Sequence, residues 1–158
     1  METALQQLLE TWRTNNRINL FLIDRISDDG MKCTLSKHGG RNVVRQFAHV
    51  HNQRIYHLEG RARDLAKGLS KFASSDQPGK KRLKEYLVRS GERIETYIVQ
   101  CFAGIVKHRP FKKGIIATIG YFIAHESHHR GSILLTLKEC GHKLDNQTQS
   151  AIWNWDKM

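Results

Sequence analysis

Apolar residues recur at helical spacing in four stretches of the chain, and no stretch alternates apolar and polar positions as a half-buried strand does. The first carries Leu5, Leu9, Trp12, Leu20 and Ile23. Thr3 followed by Gln6 predicts a capping box at its start, and Asp28-Asp29-Gly30 predicts its end. Asn15, Asn16 and Asn19 interrupt its apolar face, either as a solvated flank or as amides turned into a polar pocket. Residues 31–40 read as a loop broken by Gly39-Gly40, after which Asn42 can cap a second helix over residues 43–69. Its seam is Val44, Phe47, His51, Ile55, Leu58, Ala62, Leu65 and Leu69.

Residues 74–79, polar with both Pro78 and Gly79, form the clearest linker. Beyond it Leu83, Leu87, Ile94, Ile98, Cys101 and Ile105 define a third helix that Arg109-Pro110 stops, with Cys101 in its core face. The fourth begins near Gly114, closes at Gly141, and is the most hydrophobic of the set. Four helical patterns joined by short to moderate connections predict an all-α fold, an up-down four-helix bundle forming one domain over 1–158. Residues 144–158 are a tail folded back on it, and Trp153 and Trp155 suit either that packing or a homodimer contact.

Composition adds limits. A chain of 158 residues with 39% hydrophobic content can bury a core without staples. No apolar run reaches the roughly 18 to 20 residues needed to span a bilayer, and the start lacks a basic, apolar leader, so a cytoplasmic protein without membrane contact is expected. Cys33, Cys101 and Cys140 are odd in number and widely spaced, the pattern of reduced thiols. The formal charge of +11 is uneven: residues 41–90 hold twelve Lys or Arg against four Asp or Glu. Such a surface attracts polyanions in a salt-dependent way, which keeps a non-catalytic polyanion- or nucleic-acid-binding bundle as the alternative function. No helix-turn-helix, zinc-finger or RNA-binding signature accompanies the charge.

The chemistry concentrates in Ala124-His125-Glu126-Ser127-His128-His129-Arg130-Gly131. On a helix His125 and His129 lie about 40° apart around the axis and roughly 6 Å apart along it, close enough to grip one ion. His128 competes with His129 for that role. His125-Glu126-Ser127-His128-His129 has the zincin spacing H-E-x-x-H, with Glu126 where a general base would stand; because Glu126 points about 100° away from His125 around the helix, protease activity is not expected. A further ligand must come from elsewhere, and Phe47-Ala48-His49-Val50-His51 is the other dense source. Those two histidines point about 160° apart, so they cannot share one ion. His51 lies on the apolar seam, whereas Gln46, Gln53 and Tyr56 lie on the His49 side and could hydrogen-bond around a site there.

A helix with His in an Ala-His-Val context, followed far downstream by His-x-x-x-His-Arg-Gly, resembles the DinB/YfiT-like family of four-helix bundles with a three-histidine metal site. The resemblance spans most of the chain and implies the ligands His49, His125 and His129. One departure is Ser132, where many relatives carry Gln after Arg-Gly. What the resemblance implies is an enzyme dependent on a divalent metal, Zn²⁺, Ni²⁺, Fe²⁺ or Mn²⁺. It would be a transferase adding a low-molecular-weight thiol to an electrophile, or a hydrolase. Arg130 is then expected either at a basic pocket rim that receives the thiol's carboxylates or in a structural ion pair.

Overall fold

The computed structural model describes residues 3–104 and 108–158. Met1, Glu2 and Ile105, on which the expectations about a leader and the third helix partly rest, lie outside the described residues. Among the described residues the chain is all helical, with four long helices: α1 (Ala4–Arg25), α3 (Val43–Arg61), α5 (Lys80–Ala103) and α6 (Ile115–Glu139). Short helices α2 (Asp28–Lys32), α4 (Arg63–Ala66) and α7 (Asn146–Ala151) lie between and after them. No helix there is long and apolar enough to cross a membrane.

The termini follow from local chemistry. Thr3 Oγ1 accepts from Gln6 N–H at 3.3 Å while Gln6 Oε1 accepts from Thr3 N–H at 2.7 Å, the reciprocal capping box. Asn42 caps α3 by accepting from Arg45 N–H at 2.9 Å. Helix α6 ends in a Schellman arrangement, where His142 N–H reaches the Leu137 carbonyl at 2.8 Å and Gly141, at φ 79°, donates to Lys138.

Three boundaries differ from expectation. Helix α1 stops at Arg25, and Ser27 caps a separate turn, α2, so Met31 is buried in a helix rather than placed in a loop. Helix α3 ends at Arg61 instead of running to residue 69. The Arg61 carbonyl accepts from Arg109 N–H at 3.0 Å, and Ala62 leaves helical geometry at φ −149°, ψ 60°. Helix α5 ends at Ala103 rather than near Arg109, because Gly104 takes the left-handed conformation at φ 65°.

Two apolar clusters form the core. Val43, Phe47, Leu22, Leu83, Leu87, Ile133 and Leu137 belong to one, and Trp12, Leu58, Ile94, Tyr97, Ile98, Ile119 and Phe122 to the other. Each long helix crosses from one cluster to the other, which fixes its direction. Helices α1 and α6 enter at the Trp12 cluster, whereas α3 and α5 both enter at the Phe47 cluster. Strict up-down alternation is therefore broken, since the connection from Ala62 to Gly79 returns the chain to the end where α3 began. Helix α3 packs against both α5 and α6, and α1 packs against the same two.

The tail folds back through Ile152, which is buried, while Trp153 is 79% exposed. Cys101 is half-buried beside the Trp12 cluster, on the core side as expected.

Candidate metal centre

Between the two apolar clusters lies a polar layer to which each long helix contributes: Asn15 and Asn19 from α1, His51 and Arg54 from α3, Ser90 from α5, Glu126 and Arg130 from α6. Arg54 and Glu126 are both 2% exposed and form a two-pronged ion pair, Nε to Oε1 at 2.7 Å and Nη2 to Oε2 at 2.9 Å. Asn15 and Asn19 each donate to Glu126 Oε2 at 2.7 Å. Arg54 also donates to the Leu87 carbonyl and to Asn16 Oδ1, and it lies over the Trp12 ring. Burial alone would push the Glu126 carboxyl up. The Arg54 guanidinium and its hydrogen bonds, with Arg130 and Asn15, outweigh burial and hold it below its usual range.

At the edge of the same α3–α6 contact stand three half-buried imidazoles. The structure brings His49, His125 and His129 together with one ligand nitrogen from each, all within 4.8 Å of one another. His125 Nε2 and His129 Nε2 are 3.3 Å apart, and the His49 ring lies 5.5 Å and 4.8 Å from theirs, centroid to centroid. Nitrogens bound tetrahedrally at a zinc-like distance of about 2.1 Å stand about 3.4 Å apart. The pair on α6 is at that spacing already, and a rotamer adjustment of His49 closes the third. The donor set fits a borderline divalent ion.

The protonation state fits as well. Burial first, then Arg41 and His125, lower His49 to about 4. Burial followed by His125, His49 and His128 lowers His129 to about 4. Burial also lowers His125, against the opposing pull of Glu126. At neutral pH the lone pairs are therefore free to bind an ion without first losing protons.

His51 is not part of this group. It is 1% exposed and faces α5, with Nδ1 3.0 Å from Ser90 Oγ and Nε2 3.0 Å from the Ser70 carbonyl. His128 is exposed and packs edge-on to His129 without joining the cluster. Among the described residues, Gln46, Gln53 and Tyr56 make no hydrogen bond to His49, and Tyr56 instead packs on His57. Arg130 does not line the cavity beside His49: it is buried, donating to Asn19 Oδ1 at 3.0 Å and to Ser127 Oγ at 2.7 Å, and it borders a separate cavity with Ile152 and Trp153. His57 sits half-buried against Tyr121 and Phe122.

A cavity of about 300 Å³ opens beside His49, between α3 and the 72–74 segment. Arg41, Arg45, Asn52 and Phe72 help to line it. Asn52 is committed to the Phe72 backbone through two hydrogen bonds, so the arginines are the cations this cavity offers. These two arginines sit eight and four residues before His49, where neither the apolar stripe nor the histidine motif marks them. The chain matches no family model, and no curated protein matches it.

Proposed function

We propose that this chain is a DinB/YfiT-like four-helix bundle and a divalent-metal-dependent enzyme, with His49, His125 and His129 as ligands for Zn²⁺, Ni²⁺, Fe²⁺ or Mn²⁺. The observation that carries the reading is the convergence of three neutral imidazole nitrogens from α3 and α6 within 4.8 Å. A divalent ion held there supplies Lewis acidity, which favours the anionic form of a thiol or a water.

The chain's own groups do the rest. Arg41 and Arg45 line the adjoining cavity and place two cations within reach of a substrate's carboxylates. Phe72 gives the same cavity an apolar wall. These features favour transfer of an acidic low-molecular-weight thiol to an electrophile, in the cytoplasm, with hydrolysis as the other outcome of the same site.

The test begins with metal. Purified protein, stripped by chelator and reloaded, retains about one divalent ion per chain by elemental analysis, and His49→Ala or His129→Ala loses it. Loaded protein then consumes a thiol in the presence of an electrophile. Arg41→Ala with Arg45→Ala raises KM for an acidic thiol more than for a neutral one. Wild-type protein that takes up no ion sinks the proposal. Polyanion binding that falls steeply with salt and ignores the histidine substitutions would put the binding-module reading in its place.

A further inference from the structure

All three cysteines are free thiols, and two of them meet where the sequence gives no hint of it. Helix α2 packs against the C-terminal end of α6. Gly30 is a point of close approach, since a Cβ there would lie 3.1 Å from Leu137 Cδ2 on α6. Ser27 Oγ lies 3.4 Å from His142 Nδ1 across the same contact.

Cys33 is the C-cap of α2, and Cys140 is the C-cap of α6. The Cys140 thiol points at the carbonyl of Thr34, the residue next to Cys33, at 3.8 Å. The Cys33 thiol turns back on its own helix end, 3.5 Å from the Asp29 carbonyl. Burial, and then the neighbouring Cys140 thiol, push the Cys33 thiol up. Both residues are partly exposed, so a small reagent can reach them. Cys101 packs on the opposite apolar cluster and has no part in this contact.

We propose that Cys33 and Cys140 are a reversible dithiol–disulfide pair, oxidised by exchange with a low-molecular-weight disulfide, and that the bond fastens the α2 turn to the end of α6. One protein thiolate attacks a sulfur of the small disulfide, forming a mixed disulfide and expelling one small thiolate. The other protein thiol gives up its proton to solvent and attacks the protein-bound sulfur, expelling the second. Two protein thiols are oxidised and one small disulfide is reduced to two thiols. The ring closed in this way contains most of the chain, so the bond restricts the unfolded state strongly.

The full-length chain is incubated with oxidised glutathione, freed of small molecules and analysed intact. Titratable thiols fall from three to one, the mass drops by two hydrogens with no glutathione retained, and digestion yields a peptide pair joined through Cys33 and Cys140. Cys101→Ser leaves this unchanged, whereas Cys33→Ser and Cys140→Ser each abolish it. The oxidised protein melts at a higher temperature than the reduced protein, and Cys140→Ser shows no such shift. Should Cys33→Ser fold poorly, Cys140→Ser and the peptide map carry the test. Glutathione retained on one cysteine without an internal bond, bonds only between chains, or three thiols still titratable would each overturn the proposal.

Discussion

Helices α3 and α6 meet through two polar clusters of opposite construction. In the buried one, Arg54 and Glu126 are closed off from solvent and nearly every polar atom has a partner, supplied by Asn15, Asn16, Asn19 and the Leu87 carbonyl. At the edge, His49, His125 and His129 are half-exposed, uncharged and turned towards one another. Glu126 and His125 are adjacent in sequence, so they point about 100° apart on α6. One faces the core and the other faces His49. The first cluster fixes how α6 is rotated against α3, and the second is left with donor atoms that the fold does not consume.

The sharpest way to break the comparison is to remove half of the buried pair. Glu126→Ala leaves the Arg54 guanidinium without its counter-charge, and Arg54→Ala does the reverse. Either loses about 3–5 kcal/mol of unfolding free energy in a urea titration. Replacing both, as Arg54→Met with Glu126→Leu, recovers much of that loss because no lone charge remains. Recovery stays incomplete, since Asn15 and Asn19 also lose their acceptor. Equal losses for the double and single variants would show that the layer is held by packing rather than by charge.

The sequence made the edge cluster more legible than the buried one. Histidines at positions 125 and 129 announce a shared face through their spacing alone. His49 was harder, because the apolar stripe of α3 runs through His51. The reason lies in packing: α3 is covered on one side by α5 and on another by α6, so His51 meets Ser90 while His49 meets the α6 pair. One stripe cannot describe a helix with two buried faces. The ion pair was missed although Arg54 follows Phe47 by seven residues, on the same seam, where a cation demands a buried acid. The four long helices were readable and the short α2, α4 and α7 were not, nor were the ends of α3 and α5. They depend on Arg109 capturing the Arg61 carbonyl and on Gly104 turning left-handed, a tertiary contact and a backbone choice that no periodicity carries.

Acid titration separates the clusters at a smaller scale. Burial lowers His51 from 6.5 to about 4, with Arg54 adding to it against the opposing Ser70 carbonyl. The folded chain thus keeps this imidazole neutral where the unfolded chain protonates it. Stability from this group is complete above pH 6.5, is lost as pH falls towards 4, and stays flat below that. The fall is on the order of 3 kcal/mol for a fully buried group. His49, His57 and His129 titrate in the same window and add to the slope. His51→Gln therefore flattens the profile of unfolding free energy against pH by about one proton. An unchanged slope would mean that His51 is protonated in the folded state and donates both of its hydrogen bonds.

The smallest effect on stability belongs to the edge cluster, and it is the one that tells the two apart. His129 is half-exposed, and the interaction the structure shows for its Nε2 is with His125. Truncating it removes some ring packing against His49 and leaves no buried charge behind. In metal-free protein His129→Ala therefore changes unfolding free energy by less than about 1 kcal/mol, the range of a partly exposed side chain without an ion pair. Adding a divalent ion at a hundred times its dissociation constant stabilises wild-type protein by about 2.7 kcal/mol, and the variant gains none of it. Thermal melts of both proteins, with and without the ion, make the comparison in four curves. A variant that is already several kcal/mol weaker without metal would place His129 among the groups that build the fold, as Arg54 and Glu126 do. A wild-type melt that ignores the ion would remove the reason for three neutral imidazoles to face one another at the edge of α3 and α6.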